Sequence, residues 1–120
     1  MENVAVVGAS PNDERFSNKA MRLLAEKGHN PIPVAPAHRE ILERKVYATL
    51  SAVSDRIDTV TLYVGAKRQA AVIDELLRAA PRRVIFNPGT ENPEAYDRLR
   101  DAGIEVVEGC TLVMLRTRQF

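Results

Sequence analysis

Apolar and polar positions alternate in blocks along the chain, with strand-like runs recurring at roughly 25-residue intervals, the spacing of βα units. Asn3–Val7 (NVAVV) is short, continuous and apolar, as a strand buried on both faces is. Gly8 stops it. Ser17 is placed to cap the next element, with Phe16 and Met21 at the two positions of a hydrophobic staple. Ala20, Leu23, Leu24 and Lys27 then follow on helical spacing, and Gly28 suits the helix C-terminus. NPIPVAP resumes as a strand, although Pro31 and Pro33 argue against pairing on both sides. Ala37 to Arg56 is irregular, with a short extended piece in KVYATL.

Asp58 to Val64 (DTVTLYV) predicts the third strand. GAKRQAAVIDELLRAAP predicts a helix with Ala70, Ile73, Leu76, Leu77 and Ala80 on one face. RRVIFN is the fourth strand. The next helix has Asn92 as N-cap, Pro93 at its first position, Glu94 in its first turn and Gly103 at its end. IEVVEG is the fifth strand, and CTLVMLRTRQF reads equally as a short helix or a strand. The expected fold class is α/β: a Rossmann-like three-layer domain spanning residues 1–120, with a five-stranded, mainly parallel sheet and right-handed crossovers. We expect the strand order 3-2-1-4-5, which puts a ligand beyond the carboxyl ends of the strands, between the first and fourth.

Composition narrows the function without naming it. A chain of 120 residues, 45% hydrophobic and 28% charged, is ordinary for a globular domain. A net charge of +1 gives no broad basic field, so nucleic acid is not an expected partner. One cysteine, Cys110, cannot form an internal disulfide, and two histidines do not make a metal cluster. No run approaches the ~18 apolar residues of a membrane-spanning helix. No basic segment precedes a long apolar run at the N-terminus, so the cytoplasm is the expected location and no membrane partner is expected.

The candidate chemistry sits in the loops. GASPNDERFS follows the first strand and leads into a helix, whose free N–H groups suit phosphate. Gly8 permits close approach, Ser10 brings a hydroxyl, and Asn12, Arg15, Ser17 and Asn18 bring polar contacts. A plain strand-to-helix turn accounts for the same residues. The dinucleotide fingerprint G-x-G-x-x-G is absent, as is a P-loop. No acid ends the second strand, which reads Val34, Ala35, Pro36, Ala37, His38, Arg39. That absence suits a ligand with an extra phosphate, either NADP or coenzyme A. His38 reaches the ligand by the loop rule alone. Arg82 and Arg83 begin the fourth strand at the opposite end and read as solvated charges. Tyr63 reads as core. Cys110 borders the apolar TLVML run and reads as a buried small hydrophobe.

Five stretches in order, VAVVGASPNDERFSN, GHNPIPVAP, VYATLSAV, DTVTLYV and NPGTENPEAYDRLRDAGIEVVEGC, carry a resemblance over nearly the whole chain. The sequence resembles the small stand-alone coenzyme A-binding proteins, which are similar to the coenzyme A-binding domain of the succinyl-CoA synthetase alpha subunit. The resemblance implies coenzyme A, free or acylated, across the carboxyl ends of the strands. It implies phosphates near Gly8, Ala9 and Ser10, with Pro11 in the same loop, and a second loop of Val34, Ala35 and Pro36. The family commonly has Asn-Pro where this chain has Ala-Pro, which removes one polar contact. The third loop is Val64, Gly65 and Ala66, followed by Lys67 at a helix start. The fourth is Asn87, Pro88 and Gly89. The synthetase's phosphohistidine machinery and nucleotide activation lie outside such a domain, so the expectation is binding without catalysis. An NADP-linked small enzyme or redox regulator, and an interaction module with an unused nucleotide site, are the alternatives. The apolar tail makes a homo-oligomer an open expectation.

Overall fold

Val4 and Val6 point to one side of the first strand, Ala5 and Val7 to the other, and all four are buried. That strand, β1 (Asn3–Val7), is central to the sheet. The computed structural model describes all 120 residues, Met1–Phe120. Along the chain follow α1 (Phe16–Glu26), β2 (Asn30–Val34), β3 (Glu40–Ile41), β4 (Arg44–Lys45), β5 (Thr59–Leu62), α2 (Ala70–Ala79), β6 (Arg83–Phe86), α3 (Pro93–Asp101), β7 (Glu105–Glu108) and α4 (Thr111–Arg116). Five of the strands form one wholly parallel sheet in the order β2-β1-β5-β6-β7, and β3 and β4 form a separate antiparallel hairpin. The fold is α/β and Rossmann-like, with helices on both faces.

Each face has its own core. Ile73 and Leu76 of α2 and Ala95, Tyr96 and Leu99 of α3 pack on Ala5, Val7, Val60, Leu62, Val84 and Phe86. Met21 and Leu24 of α1 and Leu115 of α4 pack on Val4 and Val6. Burying a side chain such as Leu76 or Leu24 contributes about 1.5–3 kcal/mol. The ambiguous C-terminal run is helical because its Leu112 and Leu115 lie on the helical period that meets the body of the molecule. No helix is long and apolar enough to cross a membrane.

The strand order corrects the expected 3-2-1-4-5. The third main strand, β5, lies beside β1 and not beyond β2. The prolines supply the reason. The Tyr47 N–H donates to the Pro33 carbonyl on the outer edge of β2, while the Gly8 N–H donates to the Val34 carbonyl on the inner edge. Pro31 and Pro33 therefore turn their missing donors outward, and β2 can only be an edge strand. Its outer side is covered by Tyr47 and the β3–β4 hairpin, so the sheet grows past β1 in the other direction. The point where strand order reverses lies between β1 and β5.

The helix boundaries also shift. Arg15, not Ser17, is the N-cap of α1, and Ser17 is buried within the first turn. Phe16 is 66% exposed, so it does not staple to Met21. The start is set elsewhere: Asn18 Nδ2 donates to the Ser10 carbonyl at 2.9 Å, and Arg22 donates to both Asn18 Oδ1 and the Asp13 carbonyl. These bonds hold the loop across the first turn. In α2 the face inward is Gln69, Ile73 and Leu76; Ala70 and Ala80 are exposed. Asn92, Pro93 and Glu94 occupy the positions assigned to them in α3.

Arg83 is a correction too. It is buried, its Nε donates to Thr59 Oγ1 at 2.9 Å, and its guanidinium lies 4.3 Å from the Phe120 ring centre. Burial lowers its pKa, while Glu2 opposes the shift. Glu2 also pairs with the exposed Arg82 at 2.8 Å. Its N–H donates to His29 Nδ1, and the His29 ring tilts against Phe120.

Candidate functional site

A cleft of about 690 Å³ lies over the carboxyl ends of β1, β2 and β5, at the point where strand order reverses. Thirteen of the residues singled out from sequence line it: Gly8, Ala9, Ser10, Arg15, Ser17, Val34, Ala35, Pro36, His38, Val64, Gly65, Pro88 and Gly89. Pro11, Lys67 and Asn87 do not. Pro11 is exposed on the outside of its bend, and Lys67 is exposed on a single 3-10 turn, Ala66–Arg68. That turn brings Arg68, one residue later, to the cleft.

Asn87 is committed within the protein. Its Nδ2 donates to Thr61 Oγ1 and the Leu62 carbonyl at 2.7 and 2.8 Å, and its Oδ1 accepts the Thr111 N–H at 2.9 Å. It therefore ties the start of α4 to β5. Gln69 plays the matching part on the other side. It is fully buried, and its Nε2 donates to the carbonyls of Val64 and Thr90, each at 2.7 Å. Its Oε1 accepts from Asn92. One side chain thus holds the third and fourth loops in fixed relation. Cys110, expected to be buried, is half-buried at the N-cap of α4 and does not line the cleft. Asn12 and Asn18 do not line it either.

The donors facing the cleft differ from those expected. The N–H groups of Gly8 and Ala9 both reach the Val34 carbonyl, at 3.0 and 3.3 Å. They hold β1 to β2 and are spent. The Ser10 N–H has no acceptor in the protein, and its Oγ accepts from Asn12 while keeping its own proton to donate. The first turn of α1, with Phe16 and Ser17 on the cleft, has no side-chain cap. Its N–H groups have no acceptor within the helix, and the helix dipole favours an anion at that point.

Charge agrees with this. Arg15 and Arg68 border the cleft, and neither makes an ion pair, since both ion pairs of the protein belong to Glu2. The exposed His38 also lines the cleft, and Glu75 is the cleft's one carboxylate. The lining thus combines free donors and unpaired arginines with apolar side chains, which suits a ligand with several negative charges and an uncharged part.

Sequence reasoning missed Phe16, Thr49, Leu50, Tyr63, Arg68, Val72, Glu75 and Thr90, which also line the cleft. A signal existed for three of them: Arg68, Val72 and Glu75 are spaced four and three apart, one stripe of a helix. Thr49 and Leu50 lie in the stretch that shows no period. Tyr63 keeps its packing role, but its hydroxyl is buried without a hydrogen-bond partner. Burial pushes its pKa up to about 12, although the Thr61 and Thr111 hydroxyls, bonded to each other, lie near enough to oppose the shift.

Relatives agree with the geometry. The family model described as the CoA binding domain matches residues 2–116. The uncharacterized protein YneT of Bacillus subtilis is 28% identical over 106 residues, covering 88% of this chain and 78% of YneT. Acetate–CoA ligase (ADP-forming) I of Archaeoglobus fulgidus is 28% identical over 103 residues, covering 85% of this chain but 14% of the ligase. A crystal structure of an uncharacterized protein superposes with a TM-score of 0.94 at 40% identity, covering 100% of this chain and 98% of the other. With the match extending over residues 2–116, the chain belongs to the CoA-binding domain family.

Proposed function

We propose that the cleft binds coenzyme A, free or acylated, and that the chain acts as a binding module without catalysis of its own. The observation that carries this is the gathering of unbonded donors and unpaired cations on the lining of one cleft. The Ser10 N–H, the uncapped first turn of α1, Arg15 and Arg68 all face the same space. The diphosphate lies against Ser10 and the start of α1, and the apolar walls receive the uncharged parts of the ligand. The ligase from A. fulgidus, of which this chain matches a small part, carries CoA in its name, which supports the choice of ligand.

Calorimetry with coenzyme A, dephospho-CoA, acetyl-CoA, NAD, NADP and ATP tests the reading. Coenzyme A is expected to bind more tightly than NAD or NADP, and more weakly as salt rises. Equal or tighter binding of NAD or NADP overturns the assignment.

A further inference from the structure

Glu75 is the single carboxylate on the wall of the cleft, and it is 9% exposed. Its Oε2 accepts the Ser51 N–H at 2.8 Å. Its Oε1 takes no hydrogen bond from the protein and is not sealed from the surrounding space. The wall beside it is apolar: Leu50 is buried, and Val64 and Val72 are half-buried against the same core. Leu50 and Glu75 also form the partition between the cleft and a hollow of about 420 Å³. A phosphate is repelled from a carboxylate, so the anionic end of a ligand belongs away from Glu75, at Ser10 and α1.

A carboxylate only accepts hydrogen bonds. Apolar walls with one acceptor at their rim fit a flat ring that carries an N–H donor on its edge. Adenine has that donor in its 6-amino group. A 6-oxopurine turns a carbonyl oxygen to the same place, against the carboxylate oxygen. Resting on the reading that the cleft takes coenzyme A, we propose that the adenine lies against Leu50, Val64 and Val72 and donates from its 6-amino group to Glu75 Oε1. Glu75 is then the residue that selects adenine over 6-oxopurines. Buried polar groups left without a partner discriminate far more strongly than apolar surface does.

The test is a titration of the folded protein with adenosine 3′,5′-bisphosphate and inosine 3′,5′-bisphosphate. The adenine form is expected to bind at least about tenfold tighter, the scale for a hydrogen bond to a charged group. Glu75→Gln keeps an oxygen for the Ser51 N–H and turns an amide N–H₂ to the ring. It is expected to bring the two ligands within about threefold of each other, with the melting temperature unchanged. Equal binding of the two bisphosphates by the wild type overturns the proposal, as does a preference that persists in folded Glu75→Gln. Should that variant not fold, the wild-type comparison decides alone. Coenzyme A bound with no preference between the bisphosphates removes only the role of Glu75. No binding of coenzyme A or either bisphosphate removes the ligand reading and this proposal together.

Discussion

A β-carbon on Gly8 would stand 3.1 Å from both the carbonyl carbon and the carbonyl oxygen of Tyr63. Gly8 has a φ of +91°, a conformation that side-chain-bearing residues rarely adopt. The backbone at Tyr63 and the positive φ are therefore enough to require glycine here, a second reason beside the close ligand approach that the sequence suggests. Gly8→Ala is expected to lower stability by about 1–3 kcal/mol, and Gly8→Val by more. Urea unfolding measures this, and an unchanged midpoint for Gly8→Ala rejects the account.

Gly65 is the cleaner probe of ligand approach. It lines the cleft with an ordinary φ of −63°, and nothing lies within 4 Å of an added β-carbon. Gly65→Val is expected to melt close to the wild type and to weaken coenzyme A by about tenfold, or ~1.4 kcal/mol. Full affinity in this variant moves the ligand away from the third loop.

Arg68 and Lys67 separate cleft from surface within one turn. Arg68→Ala is expected to weaken coenzyme A by about tenfold, the scale of one charge-assisted hydrogen bond, and to reduce the salt dependence of binding. Lys67→Ala is expected to leave affinity unchanged. Calorimetry at two salt concentrations reads both, and the reverse pattern restores Lys67 to the site.

Leu42 and Glu43 join β3 to β4 with φ values of +52° and +61°. Two left-handed residues in a two-residue hairpin match the turn that Asn-Gly adopts at little cost. Leu42 is 44% exposed, so its replacement gives up little packing. The double substitution Leu42→Asn, Glu43→Gly is expected to stabilise the protein by about 1–2 kcal/mol. A lower urea midpoint would show that Leu42 makes a contribution its exposure does not reveal.

Tyr63 links burial to pH. Its pKa rises from 10.0 to about 12 because burial disfavours the phenolate. The folded value lies above the unfolded one, so the stability it contributes is whole below about pH 10 and is lost as pH rises toward 12. Tyr63→Phe removes a buried hydroxyl that has no partner. The variant is expected to be at least as stable as the wild type at pH 7, and to lose less stability between pH 10 and 12. Parallel melting curves across that range in the two proteins would assign the alkaline loss to other groups; Tyr96, also raised to about 12, is the first of them.

Local pattern was enough to locate the main strands and the helices before β2, β6 and β7. Continuous apolar runs such as NVAVV and capped periods such as NPEAYDRLRDAG depend on neighbours only a few residues away. The four cleft loops were legible for a related reason: in an alternating βα chain, every loop after a strand lies at the same end of the sheet. Pro31 and Pro33 even held the strand order, since donors missing from one edge forbid a fully paired strand there, though that consequence emerges only once the edges are known. What tertiary structure alone decided was how each loop residue is spent. The Val34 carbonyl takes the N–H groups of both Gly8 and Ala9, Asn87 turns inward to Thr61 and Thr111, and a 3-10 turn exchanges Lys67 for Arg68. Those outcomes depend on partners 20 to 30 residues away in the chain, and on one turn's rotation, neither of which leaves a period in the sequence.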